Sequence, residues 1–348
     1  MSVIPPVPTL LPPSELVPPL PPLHSEASGA QPRLQASHAH HSHGGHRSER
    51  SARNHDRFHP YSRPSAALQV ADHYNRHQQQ THEQRKRSPI YRMRNFNNWI
   101  KSVLISRAAK NCRPKAVLDM GCGKGGDLLK WGKARIQHYV GMDIADVSVE
   151  QAHGRWKEMR NNRFSAEFHA LDCYQYPLSK KISPEQRFDV VSQQFCLHYA
   201  FETEAKAKQM VSNVADHLRP GGFWIGTLPD AYWITKKLRS VDGLSFGNSV
   251  YNIRFDQKDH YPTFGHRYIF HLEDVIESCP EYLVHFPTLA RLAEERGLKL
   301  LKRTPFHNYY EDAVRSDPES VNLLERMRVV ERGGDRLSDD EWEIAGRW

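Results

Sequence analysis

The sequence predicts an α/β domain with a mainly parallel, doubly wound sheet, preceded by a segment that does not fold. Three observations predict it. Short apolar runs alternate with helical segments from residue 88 onward, a glycine-rich turn follows the first run, and the composition changes abruptly near residue 87. Strands separated by helices are typical of parallel sheets, because a parallel crossover needs a connection about as long as a helix.

The composition limits the class of protein. The 348 residues suffice for one large domain or two small ones, and a hydrophobic fraction of 39% is low for a chain that folds throughout. The net charge of +8 favours a polyanionic partner, nucleic acid before a membrane surface. Five cysteines without a C-x-x-C pair suit a reducing intracellular compartment. No apolar run is long enough to span a bilayer and the proline-broken start makes a poor signal peptide, so no membrane is expected.

Residues 1–87 are predicted to form a disordered tail. A proline-rich stretch precedes HAHHSHGGHRSERSARNHDRFH, a composition that buries too little apolar area to offset the entropy of ordering. The histidines could bind a metal, but a solvated low-complexity run is the simpler interpretation, and no metal site is predicted. Arg85-Lys86-Arg87 is open to interpretation as a nuclear-import patch, an RNA contact or an ordinary linker. Deleting residues 1–86 is expected to leave the function of the folded domain nearly intact.

The domain, predicted over 88–348, begins with a helix and continues with five strands. The segment 88–109 places Phe96, Ile100 and Leu104 at helical spacing. The strands are predicted at 115–120, 137–145, 163–174, 188–195 and 223–229. Ser148 is expected to begin the helix after the second strand, with Gln151 completing a capping box. A helix over 203–218 is expected to stop at RPGG.

The chain beyond the fifth strand departs from this alternation. Residues about 240–285 have the pattern of a small antiparallel insertion. A helix near 286–297, a sixth strand at 297–306 and a polar helix at 317–330 are predicted after it. These elements would extend the sheet and cover it.

The glycine-rich turn indicates a cofactor that contains adenosine. VLDMGCGKGGD carries G-x-G-x-x-G at Gly121, Gly123 and Gly126 between a strand and a helix, and Asp143 closes the next strand. Glycines let the backbone approach a ligand, and the acid can accept hydrogen bonds from both ribose hydroxyls. NAD and S-adenosylmethionine (AdoMet) both fit this arrangement.

Three further details favour AdoMet. Asp119 lies two residues before the first glycine, where a carboxylate would crowd a pyrophosphate but suits a methionine ammonium. Asp172 ends the third strand, where it can accept the adenine amino hydrogen. The fourth strand ends in QQF, polar and aromatic side chains that suit a transfer site facing a sulfonium. Together these features resemble a Rossmann-like class I methyltransferase, with AdoMet as the predicted cofactor.

Longer segments make the resemblance more specific. In chain order, the segments that resemble the eukaryotic mRNA cap guanine-N7 methyltransferases, with a fungal source expected, are RNFNNWIKSVLI (94–105), VLDMGCGKGGDLLKW (117–131), DIADVSVEQA (143–152), FCLHYAFE (195–202), SFGNSVYNIRF (245–255) and EYLVHFPTLARLA (281–293). The resemblance covers about Ser88 to Tyr310. It implies an enzyme that methylates guanine N7 of the 5′ GpppN cap of nascent mRNA. Capped mRNA, other capping enzymes and the RNA polymerase II machinery are the implied partners, in the nucleus and with the protein as a monomer.

The chemistry of this reaction predicts a site without a general base. Guanine N7 carries an in-plane lone pair and no proton, so it can attack the sulfonium methyl directly. Catalysis then requires that the enzyme position and orient the two reactants and stabilise the new positive charge on the purine. Holding the reactants in a near-attack pose can by itself lower the activation barrier by roughly 7–11 kcal/mol. His198 in QQFCLHYAFE therefore has no acid–base task, and a metal role is not expected for it.

The resemblance implies roles for individual residues. For the cofactor they are Lys101 at the carboxylate, Gly121 at the methionine moiety, Asp143 at the ribose, Asp172 at the adenine, and Gln194 and Tyr199 completing the pocket. For the cap they are Asn97, Asn98, Lys124, Lys130, Arg155, His198 and Glu281. Glu281 would accept hydrogen bonds from the guanine N1 and N2 edge, and the basic residues would meet the phosphates or ribose. Without the resemblance, each has an ordinary structural or surface interpretation.

One departure concerns the segment after EWE. The family pattern continues into an aromatic-rich final strand, in which a tyrosine helps to hold the guanine, whereas this sequence reads IAGRW. The final edge strand is therefore expected to be missing, with an exposed sheet edge, lower stability and weaker cap affinity.

Three alternatives stay open at this point. A methyltransferase for another base or a small molecule would share the cofactor motif. A cap-binding scaffold with a degenerate site would bind AdoMet without turnover. An NAD-dependent dehydrogenase would be stabilised by NAD rather than by AdoMet.

Overall fold

The structure, a computed structural model, describes residues 66–76, 82–160, 163–330 and 336–348. Its helices are α1 (Ala66–Arg76), α2 (His82–Lys86), α3 (Tyr91–Cys112), α4 (Leu128–Lys133), α5 (Asp146–Glu158), α6 (Glu204–His217), α7 (Ala231–Arg239), α8 (Phe286–Glu294), α9 (Phe306–Ser316), α10 (Pro318–Arg326) and α11 (Asp339–Ala345). Its strands are β1 (Ala116–Met120), β2 (His138–Asp143), β3 (Ser165–Ala170), β4 (Phe188–Gln194), β5 (Leu218–Thr227), β6 (Ser245–Gly247), β7 (Tyr251–Phe255), β8 (Arg267–Leu272) and β9 (Ile276–Tyr282). Within the described ranges, no helix is both long and apolar enough to cross a bilayer.

The larger sheet has five parallel strands in the order β3-β2-β1-β4-β5. Successive residues of β1 face opposite sides, so Val117 packs with the core beneath α3 and α4, while Leu118 and Met120 pack with the core beneath α6. The predicted doubly wound, Rossmann-like sheet is confirmed. Because the strand order reverses between β1 and β4, a crevice opens at the carboxyl ends of these two strands, which is where such folds bind ligands.

The smaller sheet is antiparallel, in the order β6-β7-β8-β9, and confirms the predicted insertion. Its buried face carries Phe255, Tyr268 and Phe270, which join one apolar core with Phe96 and Trp99 of α3. The insertion and the helix before the parallel sheet are therefore a single packed unit. Strand β9 consequently ends next to the carboxyl end of the larger sheet.

The helices α1 and α2 overlap the segment that was predicted to be disordered. Val70 and Ala71 of α1 are buried, and α1 packs against β9 and α5. The prediction of disorder is wrong for residues 66–76, because an amphipathic helix can bury its apolar face on a domain that the composition of the tail does not reveal. It is also wrong for residues 82–86, which form a short polar helix in which none of residues 83–86 is buried. The rest of the predicted tail lies outside the described residues.

The predicted sixth strand at 297–306 is also wrong. Residues 297–305 form no ladder within the described residues, and Leu300 and Leu301 are 55% and 70% exposed. A strand exists only through pairing with a neighbour, and the apolar pattern GLKLL does not supply one. In the five-stranded sheet, β5 is an edge strand.

Two local boundaries differ from the predicted ones. Helix α5 begins at Asp146, and Ser148 lies in its first turn rather than at the N-cap, so the capping box is wrong. The start of α5 follows from Asp143, whose Oδ1 accepts the Ala145 amide at 2.9 Å. Helix α6 stops at His217 as predicted, but β5 starts directly at Leu218 and contains RPGG at a register shift.

Candidate active site

A cavity of about 280 Å³ opens at the carboxyl ends of β1, β2 and β4. All six residues predicted to bind the cofactor line it: Lys101, Gly121, Asp143, Asp172, Gln194 and Tyr199. They come from α3, the glycine turn, the ends of β2, β3 and β4, and the short helical turn after β4. The fold thus brings together side chains that are far apart in sequence.

The glycine turn adopts a conformation that requires glycine at specific positions. Gly121 has φ +82°, and a Cβ on it would lie 2.5 Å from Cys196 Sγ. Gly123 and Gly125 also have positive φ, so the turn depends on a glycine outside the G-x-G-x-x-G pattern. Gly126 lines the cavity, and a Cβ there would meet no protein atom within 4 Å. The absence of a side chain at Gly126 is therefore not required by packing within the protein, but it leaves space in the cavity for a ligand.

Asp143 is fixed by the backbone around it. Its Oδ2 accepts the Gly123 amide at 2.8 Å and its Oδ1 accepts the Ala145 amide at 2.9 Å. Burial raises the pKa of this carboxyl, and the backbone hydrogen bonds offset part of that rise. The carboxylate therefore has a set orientation at the cavity wall before any ligand arrives.

Asp172 is held in the same way at the end of β3. Its Oδ1 accepts the amides of Tyr174 and Gln175 at 3.0 and 3.1 Å. Its Oδ2 lies 4.0 Å from Lys206 Nζ. Oδ1 of Asp172 thus accepts hydrogen bonds from the turn, while Oδ2 is left facing Lys206 at the longer ion-pair distance.

Lys101 belongs to a buried charge cluster at the cavity wall. Its Nζ lies 2.9 Å from Asp127 Oδ1, and Lys130 Nζ lies 2.7 Å from the same atom. Burial alone would raise the pKa of Asp127, but the two lysines lower it below its usual range. Two cations share one carboxylate, which leaves a net positive charge where a cofactor carboxylate is expected.

Asp119 does not have the role that its spacing suggested. It is buried, it accepts a hydrogen bond of 2.9 Å from the Tyr139 hydroxyl, and it is not among the cavity-lining residues. Burial and the nearby charge of Asp127 raise its pKa. The prediction that Asp119 meets the methionine ammonium is therefore wrong, because the side chain points beneath the glycine turn.

Helix α1 supplies a wall of the cavity that the sequence analysis missed. Ala67, Val70 and Tyr74 line it, and the Tyr74 hydroxyl lies 3.3 Å from the Tyr199 hydroxyl. Burial raises the pKa of Tyr74. The i, i+4 spacing of Val70 and Tyr74 was the available signal, hidden within a segment interpreted as disordered by its overall composition.

Comparison with known proteins decides the family. A family model described as the mRNA (guanine-N(7))-methyltransferase domain matches residues 61–348. The chain belongs to this family. The match begins before α1, which agrees with the packing of that helix on the domain. The resemblance inferred from sequence segments is confirmed.

Curated relatives share much of the sequence. The chain is 45% identical to the mRNA cap guanine-N(7) methyltransferase of Cryptococcus neoformans var. neoformans serotype D (strain JEC21), over 79% of this chain and 46% of that protein. It is 45% identical to mRNA cap guanine-N(7) methyltransferase 1 of Arabidopsis thaliana, over 80% and 79% of the two chains. For the Schizosaccharomyces pombe protein the identity is 42%, over 80% and 79%. The chain spans about half the length of the Cryptococcus relative.

None of the residues that the resemblance implied for the cap is among those that line the cavity. His198 and Glu281 are fully buried behind Tyr199, with 3.5 Å between His198 Nε2 and Glu281 Oε1 and 4.3 Å between the His198 and Tyr199 ring centroids. Glu281 Oε2 accepts a hydrogen bond of 2.6 Å from the Tyr268 hydroxyl and another from Arg347.

The ionisation of Glu281 follows from these neighbours. Burial alone would raise its pKa, but Arg347, then His198 and the Tyr268 hydroxyl, lower the pKa of Glu281 to about 2. The carboxylate therefore remains charged throughout the neutral range. Arg347 is a second residue that the sequence analysis missed, and no local motif marks it.

On α3, the two asparagines implied for the cap differ in their contacts. Asn98 Oδ1 accepts from Lys130 Nζ at 3.1 Å, and Asn98 Nδ2 donates to the Arg94 carbonyl at 3.1 Å. The Asn97 Oδ1 atom is buried without a hydrogen-bond partner among the described residues. Lys130 and Asn98 thus belong to the charge cluster of Lys101.

Lys124 and Arg155 form a basic cluster with Arg85 of α2. Burial and the positive charges of Arg155 and Arg85 lower the pKa of Lys124, and burial and Arg85 lower the pKa of Arg155. The three cations are therefore close enough to repel one another. Part of the basic patch predicted in the tail is a component of the folded domain.

Proposed function

We propose that this chain transfers the methyl group of AdoMet to guanine N7 of the 5′ GpppN cap of mRNA. The observation that carries the proposal is the convergence on one cavity of the six residues that the resemblance implied for the cofactor, in a chain of the guanine-N7 methyltransferase family. An NAD-dependent dehydrogenase is disfavoured by this family membership.

The residues fit AdoMet by charge and by position. Lys101, in a cluster with net positive charge, would hold the carboxylate end of the methionine moiety at Gly121. Asp143, pre-oriented by two amides, would accept hydrogen bonds from the ribose hydroxyls. Asp172 would accept the adenine amino hydrogen, while Gln194 and Tyr199 would complete the wall toward the methyl group. When bound, AdoMet supplies the electrophilic methyl.

The guanine would lie between the cofactor cavity and Glu281. The carboxylate of Glu281 would accept the N1 and N2 hydrogens of the purine and oppose the positive charge that develops as N7 is methylated. His198 would contact the guanine as a positioning side chain, because N7 has no proton for a base to remove. Tyr199 lines the cavity and packs on His198, so its ring would border both reactants and help to set the line of attack.

The basic residues suit the anionic part of the cap. Lys124 and Arg155, joined by Arg85, would bind the triphosphate or the cap ribose. Asn97, Asn98 and Lys130 would border this region from α3 and α4. Their positions around the cavity support a substrate that is larger than a free nucleoside.

The biological setting follows from the substrate. A capped mRNA substrate would place the enzyme in the nucleus, with other capping enzymes and the RNA polymerase II machinery as partners. We propose that the chain acts as a monomer.

Methyl transfer to defined substrates tests the proposal. The chain and radiolabelled AdoMet are incubated with GpppA, capped RNA, uncapped RNA and free guanosine, and the products are digested to locate the methyl group. Label on N7 of the cap guanine, with none on uncapped RNA, is the expected result. Transfer to another base or to a nucleoside would favour a different methyltransferase. AdoMet binding without turnover on any substrate would favour a cap-binding scaffold.

A further inference from the structure

The carboxylate proposed to recognise guanine already holds a side chain of this protein. Arg347 follows α11, and its side chain is fully buried. Its Nη2 donates to Glu281 Oε2 and, at 3.1 Å, to the Tyr268 hydroxyl oxygen. A guanidinium and the N1–N2 edge of guanine both present N–H donors in a fork that fits a carboxylate. The two groups therefore compete for the same acceptor.

The planar guanidinium of Arg347 packs against aromatic rings, as a planar base would. Its Cζ lies 3.6 Å from the centroid of the Phe270 ring and 4.6 Å from that of Trp348. The Trp348 ring meets Phe195 edge to face, with 4.5 Å between centroids. Aromatic faces that accept a planar cation can also accept a purine, above all one that becomes positively charged on methylation.

The segment 346–348 that carries this arginine is held by its backbone between two helices. The Arg347 carbonyl accepts the Asp230 amide at 2.6 Å, next to α7. The Trp348 carbonyl accepts the Phe306 amide at 2.9 Å, at the start of α9. The Gly346, Arg347 and Trp348 amides donate to carbonyls of α11, so they stay paired if the segment moves with the end of that helix. The two hydrogen bonds to the starts of α7 and α9 can be exchanged for water, unlike the ladder of a strand within a sheet.

The buried guanidinium is incompletely satisfied. Nε and Nη1 of Arg347 are buried and have no hydrogen-bond partner among the described residues. Unpaired donors on a buried cation oppose burial, since the lost hydration is not replaced. A ligand that satisfies Glu281 fully and returns Arg347 to water would relieve this deficit.

We propose that Arg347 is an internal competitor for guanine, so that the cap enters only when the segment 346–348 leaves Glu281. This inference rests on the proposed cap-methylating function. Neither Arg347 nor Trp348 lines the cofactor cavity itself, although Trp348 packs on Phe195, which does. The closed arrangement lowers apparent cap affinity by the fraction of molecules in which the pocket is open.

Dissociation constants for GpppA, measured by calorimetry with AdoMet affinity as the folding check, test the competition. Arg347→Ala should tighten GpppA binding by about tenfold, the factor expected if the pocket is open one-tenth of the time. Arg296→Ala, which removes an exposed arginine paired with Asp216, is the matched control and should leave the constant unchanged. Millimolar guanidinium ion should compete with GpppA in Arg347→Ala and have little effect on the unaltered protein.

A further measurement needs no variant and covers the case in which Arg347→Ala does not fold. Saturating GpppA should speed hydrogen exchange of the amides in the segment 346–348, and slower exchange would overturn the proposal. Glu281→Gln separates the two hypotheses. Unchanged GpppA affinity in that variant would refute the guanine site itself. Weaker binding in Glu281→Gln, together with unchanged or weaker binding in Arg347→Ala, would keep the site and refute the competition.

Discussion

The cofactor half and the guanine half of the site are built by different sheets. The cofactor half lies at the ends of parallel strands, where neighbouring amides hold Asp143 and Asp172 in place beside an open cavity. The guanine half is formed by antiparallel strands β8 and β9, where Arg347 fills the space against Glu281. The difference teaches that the first half holds its side chains in place beside an open cavity, whereas under our proposal the second must exchange Arg347 for guanine.

The largest effect is expected for Glu281→Gln, in the proposed guanine half of the site. The variant leaves Arg347 buried without a counter-ion, which should lower the free energy of unfolding by about 3–5 kcal/mol near neutral pH. In the folded protein the pKa of Glu281 is about 2, below its ordinary value of 4.5. Its stabilisation is therefore complete above about pH 4.5 and is lost as the pH falls toward 2.

Urea unfolding of both proteins at a series of pH values measures this. The difference between unaltered protein and variant should shrink as the pH falls from about 4.5 to 2. A difference that stays constant over that range would show that the charge pair with Arg347 is not its source. The distinction between an open cofactor half and a guanine half occupied by Arg347 would then lose its physical basis.

Asp143→Ala tests whether the cofactor half is pre-oriented. Loss of two charge-assisted hydrogen bonds to the ribose should weaken AdoMet binding by about 100-fold and abolish methyl transfer at ordinary cofactor concentrations. Calorimetric titration with AdoMet is the measurement, and Asp216→Ala, an exposed carboxylate far from the cavity, is the control. An affinity within about twofold of the unaltered protein would contradict the ribose assignment.

Removal of residues 1–76 tests the wall that α1 contributes. Ala67, Val70 and Tyr74 would be lost from the cavity, and AdoMet affinity should fall by about tenfold, in keeping with the value of one aromatic contact. Tyr74→Ala in the full chain should give a smaller loss, and Tyr74→Phe less still. Unchanged affinity after the deletion would restore the expectation that this part of the chain has no part in catalysis.

Gly126→Ala should have the smallest effect and the most specific one. An added Cβ meets no protein atom within 4 Å, so the melting temperature should not change, while AdoMet affinity falls by a few-fold. Gly121→Ala is the contrasting variant, because its Cβ would lie 2.5 Å from Cys196 Sγ at φ +82° and the fold itself should weaken. A lower melting temperature in both variants would show that Gly126 serves the turn and not the ligand.

The parallel half was predictable because its signals are local. The glycine turn, Asp143 and Asp172 each follow an apolar strand, and parallel strands end at one edge whatever the packing around them. Even there, Asp119 was misassigned. A spacing of two residues from the glycine does not reveal that Tyr139 holds that carboxylate beneath the turn.

The residues that the sequence analysis missed, in both halves, depend on contacts between segments far apart in the chain. Tyr74 meets Tyr199, and Arg347 meets Glu281, across separations of 125 and 66 residues. Neither pair has a spacing that a single sequence can expose. The predicted strand at 297–306 failed for a related reason, since pairing depends on a neighbour and not on the apolar pattern of the segment itself.

Under the proposed function, the cluster of Lys124, Arg155 and Arg85 has a consequence for the binding of capped RNA. Three neighbouring cations attract anions from the solution, and binding of the 5′ end of an RNA would release these anions. The RNA phosphates would at the same time release their own bound cations, such as sodium or potassium. The gain is the entropy of ions set free into solution, so association would strengthen as the buffer is diluted. Since Arg85 lies on α2, the electrostatic contribution to RNA affinity would depend on the stability of a five-residue helix.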